Sequence, residues 1–157
     1  MKLSNHKVSV GDIFQILTSH GVCYGQVTHI HSKWKFLVSI FRDFRNKPPE
    51  DFADYVTQEP QFITPFLIQE AIQRGYFAFL INVPVAQQNA KPVIFRGTNN
   101  PGCGNETLWW LIDERGERRI DRPLTEEELK YPDEALISAP VLIERIENDY
   151  RVERDYL

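Results

Sequence analysis

The sequence predicts an α+β domain: an antiparallel, strongly bent sheet or partial barrel with one main helix packed on it. Three observations point there. Residues 8 to 41 read as three strands laid side by side, rich in β-branched and aromatic residues and parted by short polar turns containing glycine, the pattern of an antiparallel meander. Residues 108 to 120 repeat the hairpin signal, and between the two regions lies one good helix pattern with its own start and stop residues. At 157 residues, 42% hydrophobic and 25% charged, the chain fits one domain, 1–157, large enough to bury a core without disulfides or metals.

In chain order, Val8, Val10, Phe14 and Ile16 share one parity and Ile13 and Leu17 the other, so the first strand is expected to be covered on both faces. Gly11 is a reasonable bulge site. In the second strand Val22, Tyr24 and Ile30 share a face, with Cys23, Val27, His29 and His31 opposite; Phe36 to Phe41 form the third strand. Arg42 to Gln61, with Pro48, Pro49 and Pro60, reads as a loop that includes a short helical turn. Thr64 then fits a cap and Pro65 a first helical position, Leu67, Ile68, Ala71 and Ile72 form an apolar stripe, and Gly75 stops the helix. Tyr76 to Val83 is apolar enough to be a central strand.

Pro92 to Arg96 is the next strand, followed by a Gly- and Asn-rich loop over Gly97 to Asn105. Leu108 to Ile112 and Arg118 to Ile120 pair across the turn Asp113 to Glu117. Thr125 and Glu128 have the spacing of a capping box, and Pro132 ends that helix early. Val141 to Ile146 fits strand and helix periods equally, and residues 147–157 alternate in charge like a frayed end.

Function is bounded by charge before it is suggested by motif. Residues 1 to 112 carry 10 Lys and Arg against 8 Asp and Glu, residues 113 to 157 carry 8 against 14, and the net charge is -4. An acidic second half argues against nucleic acid, whose phosphates need a basic surface, and suits a basic protein partner. No stretch has the length and apolarity of a membrane span, and none near the start reads as a secretory signal, so a cytoplasmic protein is expected. Cys23 and Cys103, the two cysteines, are expected as free thiols.

Candidate chemistry is sparse. His29 and His31 lie two apart on one strand face and could share a metal with Cys23 or His20, but no downstream ligand pair completes the set; as polar residues at a strand end they need no metal. A thiol or metal-dependent hydrolase built on His29, His31 and Cys23 is the alternative function, with Cys103 as a second candidate nucleophile. Gly102-Cys103-Gly104 lacks the features of a phosphate loop. Asp12 at a strand start is expected to accept local backbone hydrogen bonds. No cofactor is expected. The feature most suited to a partner is the hairpin carrying Asp113, Glu114, Glu117 and Asp121, with Trp109 or Trp110 as an aromatic anchor, although Arg115, Arg118, Arg119 and Arg122 are interleaved with the acids.

The run Val8-Ser9-Val10-Gly11-Asp12-Ile13-Phe14-Gln15-Ile16, then Gly21, Tyr24-Gly25-Gln26-Val27 and Leu37 to Phe41, resembles a bacterial immunity-protein family of polymorphic toxin systems, immunity protein 26. Trp110-Leu111-Ile112-Asp113, Gly116 and Leu124 to Glu128 add a looser likeness. Leu17 stands where a proline is frequent in that family. The resemblance implies a small α+β domain without catalytic activity that binds a cognate toxin domain inside the producing cell. Within it Gly11, Asp12, Phe14, Gly21, Tyr24 and Gly25 are motif residues of structural kind. The family supplies no binding set for this chain, so the toxin-binding residues are those expected from the hairpin itself: Asp113, Glu114, Glu117 and Asp121 for their charge and Trp109 as an aromatic anchor.

Overall fold

A computed structural model describes residues 4–98 and 109–155. They form an α+β structure of eight antiparallel strands in two sheets with three α-helices, and the larger sheet is not closed into a barrel. They gather into two compact units, one within Met1–Lys91 and Leu136–Tyr150, the other within Pro92–Ala135 and Arg151–Leu157.

In the first unit β1 (Asp12–Thr18), β2 (Gly21–His31) and β3 (Lys35–Arg45) form the expected meander, extended by β4 (Phe62–Pro65) and β5 (Ala78–Asn82) in the order β4-β3-β2-β1-β5. The register sets Phe14 opposite Gly25 and Ile13 opposite Gln26 on β1 and β2, and Tyr24 opposite Phe41 on β2 and β3. Because strand side chains alternate, this register builds two aromatic layers. Phe14 meets Phe77, which meets Phe66; Tyr24, Phe41 and Phe52 surround Tyr55 edge to face at ring separations of 5.6 to 6.0 Å. Ile13, Val56 and Val83 complete the second cluster, so β1 is covered on both faces through Ile16.

Several sequence expectations need correction. Val10 and Leu17 are exposed, because β1 begins only at Asp12 and Leu17 lies beside the turn to β2. Thr64 and Pro65 do not start a helix. They end β4, pairing with Val38 and Leu37 at a sheet edge where proline costs no ladder bond, and the helix α2 runs only from Ile68 to Gln73. Leu67, expected in the apolar stripe, stands just before the helix at the N-cap position, where its side chain gives no capping hydrogen bond, and is 48% exposed, while Ile68, Ala71 and Ile72 are buried. Gly75 does end the helix region, with φ +78. β5, read as central from its apolar sequence, is an edge strand bulged against β1; its burial is carried by Phe77 before it and Val83 after it, leaving Leu80 and Ile81 exposed.

The loop after β3 carries the expected helical turn as α1 (Phe52–Tyr55), capped by the Asp51 carboxylate on the Ala53 and Asp54 N–H groups. The ambiguous segment is the longest helix, α3 (Ala139–Glu147), with Ser138 as cap and Pro140 in its first turn. Two of its C-terminal carbonyls receive side chains of the first unit, Ile146 O that of Arg42 on β3, with Nε at 2.9 Å, and Arg145 O that of Gln61 just before β4, with Nε2 at 3.3 Å. Glu147, expected to open a frayed end, closes this helix, and Tyr150 and Val152 beyond it are buried.

In the second unit β6 (Phe95–Thr98), β7 (Trp109–Asp113) and β8 (Gly116–Ile120) form an antiparallel sheet in that order. The strand expected from Pro92 starts three residues later. β6 is bracketed on its outer side by the Pro132–Glu134 segment, through Arg96 N to Pro132 O and Glu134 N to Arg96 O. The capping box is present in full: Thr125 N donates to Glu128 Oε1 at 2.9 Å and Glu128 N to Thr125 Oγ1 at 3.2 Å, opening a single 3-10 turn over Glu128–Lys130. Cys103 and most of the loop over Gly97 to Asn105 lie outside the described residues.

Candidate functional site

The motif residues of the opening strands hold the scaffold together. Gly11 has φ +97, and a Cβ there would lie 2.6 Å from Val83 O. Only glycine lets this backbone donate to Val27 O at 2.8 Å while its carbonyl receives Val83 N at 3.1 Å. The buried Asp12 carboxylate accepts from Ser9 N at 2.9 Å and Asn82 Nδ2 at 2.8 Å, and contacts His6 Nε2 at 2.7 Å. Burial pushes its pKa up, but the hydrogen bonds from Asn82, His6 and Ser9 outweigh that and leave it below the usual carboxylate value. The local-bonding role expected of Asp12 is thus extended by a strap: His6 stacks on Phe79 with ring centroids 3.7 Å apart, and Gln69 of α2 clasps both Val8 N and His6 O. Gly21, at φ +128, closes the β1–β2 turn, and Tyr24 lies buried beside Tyr55.

The residues of the hydrolase alternative are placed apart. Cys23 is fully buried in β2, and burial pushes its thiol up to about 12, against the pull of Arg42. Six residues of strand, about 20 Å, separate it from His29. His29 Nε2 donates to Lys91 O at 2.7 Å and its Nδ1 lies 2.8 Å from the Thr28 hydroxyl; His31 Nδ1 accepts from Lys33 N at 3.0 Å. His20 packs edge-on to Phe44. Among the described residues no three His, Cys, Asp or Glu side chains are grouped to hold a metal ion.

The β7–β8 hairpin keeps its acids in solvent. The turn pairs Asp113 with Gly116, whose φ of +127 permits the tight reversal, and the Asp113 carboxylate accepts from Arg115 N at 2.8 Å. Glu114 and Glu117 are exposed and make no ion pair among the described residues, whereas Asp121 pairs with Arg119 at 2.8 Å. Trp109 does not join them as an exposed anchor. It is 9% exposed, with the Arg96 guanidinium 5.4 Å above its ring, because β7 is the central strand of its sheet; Trp110 is half-buried. Arg96 itself is fully buried and reaches Asp133 and the Val152 carbonyl, an arrangement that nothing in its sequence context announces. Glu128, expected as the capping-box acid, is also clamped by Arg122 Nη1 at 2.6 Å; that hydrogen bond, with those to Thr125, pulls its pKa down to about 2.

Compared with protein-family models, with curated proteins and with solved structures, the chain shows no match. No helix among the described residues is long and apolar enough to cross a membrane.

Proposed function

We propose that the chain is an immunity protein that acts inside the producing cell by binding and neutralising a cognate toxin domain, without chemistry of its own. The supporting observation is the β7–β8 hairpin, where Glu114 and Arg115 form a two-residue reversal and Glu117, Arg118 and Arg119 follow on β8, all five exposed. Charged groups so displayed speed the encounter with a partner of complementary potential, and Glu114 and Glu117 are free to take new cationic partners. The motif behind the family resemblance fits the same reading, since Gly11, Asp12, Phe14 and Gly25 each have a scaffold role.

Co-expression with the toxin domain encoded immediately upstream, scored by survival and co-purification, tests the reading directly. Rescue with a stable complex is the expected result; an active toxin that is neither bound nor blocked would refute it. Within a complex, Asp113→Lys/Glu114→Lys/Glu117→Lys is expected to lower affinity at least tenfold, chiefly through the association rate. Unchanged binding by the folded triple variant would move the interface away from this hairpin.

A further inference from the structure

Between α2 and the residues leading into α3 the first unit holds a groove of about 230 Å³, floored by apolar residues including Phe66 and Ile137 and margined by Leu67, Glu70, Arg74 and Tyr76. Two large hydrophobics on its margin stand in solvent beside the charged Glu70 and Arg74: Leu67 is 48% and Tyr76 55% exposed. We propose that this groove is a twofold contact between two copies of the chain, in which α2 of each copy lies antiparallel to α2 of the other and each Leu67 enters the opposite groove.

Three features single out a second copy as the occupant. A twofold interface must be self-complementary, and here the protruding side chain and the hollow belong to the same patch. A cavity of ~150 Å³ already accepts a benzene-sized group, so this one has room for a leucine side chain. Charge gives the strongest argument. Glu70 and Arg74 stand one helical turn apart and pair at 2.7 Å, both largely in solvent. Antiparallel pairing about a twofold brings Glu70 of each copy towards Arg74 of the other, so opposite charges meet and like charges do not. The helix is only six residues long, which makes the contact small and the dimer weak.

Sedimentation equilibrium of the full chain from about 1 µM to 1 mM spans the range of such a contact. Reversible dimerisation within that range is expected, weakened at least tenfold by Leu67→Glu and by Leu67→Gln, with circular dichroism confirming the fold. Glu70→Arg alone should also weaken it, because the introduced guanidinium would then face Arg74 of the other copy. Glu70→Arg/Arg74→Glu should restore it, since the exchanged pair is again self-complementary; a foreign protein partner with fixed charges would not follow that restoration. A monomer at every concentration overturns the proposal. So does a dimer indifferent to Leu67→Glu, or one that the double exchange fails to recover.

Discussion

At the scale of single residues, the tightest constraint in the first unit is the contact between Phe14 and Gly25. The two are register partners on β1 and β2, and the Phe14 ring lies across the space where a Cβ on residue 25 would sit, 2.4 Å from Phe14 Cζ. Phe14 cannot retreat without leaving Phe77, 5.8 Å away between ring centroids, so the collision is with a locked side chain. Gly25→Ala is therefore expected to destabilise by about 2 kcal/mol or more, in the range of overpacked cores. Gly25→Ala/Phe14→Leu should recover part of that loss, because leucine vacates the space over residue 25. Denaturant unfolding of the two variants and Phe14→Leu alone measures the coupling, and strictly additive losses would show that the ring is not what glycine accommodates. Sequence shows that residues 14 and 25 belong to strands, but not that they face each other, since pairing register is a property of the turn between them.

At the scale of elements, the parts legible in the sequence are those whose signal is local. The three-stranded meander, the Thr125–Glu128 capping box, the β7–β8 reversal and Gly75 as a helix stop all depend on residues within a few positions of one another. The parts that sequence misplaces are decided by distant contacts. Thr64-Pro65 carries a helix-start signature, yet β3 offers it an edge, and the Thr64 hydroxyl turns to Pro65 O at 3.1 Å. β5 is apolar enough for the centre of a sheet, but chain order leaves it outside β1. The acidic hairpin is a hairpin as expected, while the burial of Trp109 follows only once β6 is known to flank β7. Helix α3 is undecided by its run from Val141 to Ile146 because so short an apolar stretch fits two periods; the deciding residues are Ser138 and Pro140 just before it. Ser138 Oγ accepts from Val141 N at 3.5 Å, a long bond. Ser138→Ala is accordingly expected to cost about 0.5–1 kcal/mol, at the lower end for lost caps, and Ser138→Gly less. A thermal scan showing no difference between Ser138→Ala and the parent would mean that Arg42 and Gln61 at the other end fix α3 by themselves.

At the scale of the whole molecule, each compact unit carries a carboxylate whose ionisation is tied to folding. In the first, Asp12 titrates below its ordinary value of 3.8; in the second, Glu128 is drawn from 4.5 to about 2. A carboxyl with a lower pKa folded than unfolded favours the folded state wherever it is ionised in both. That contribution is complete above the unfolded pKa and disappears as pH falls through the folded one. Stability should hold a plateau above about pH 5 and decline as pH falls below about 4.5, through the folded pKa of Glu128 at about 2, with Asp12 contributing in the same direction below its ordinary value. General charge repulsion acts in the same direction, because the chain is net positive below its pI of about 5.6. Difference measurements separate the two causes. Asp12→Asn keeps the size of the side chain but cannot accept from Ser9 and Asn82 as an anion; it should be less stable at neutral pH and should lose less on acidification than the parent. Glu128→Gln should behave the same way through its lost pairing with Arg122. Denaturant midpoints taken from neutral pH down to about pH 2 give the slopes, and acid losses parallel to the parent in both variants would mean that the acid limit of the fold is not set by these two bonded carboxylates but by net repulsion together with the other lowered carboxylates, Glu147 and Asp155.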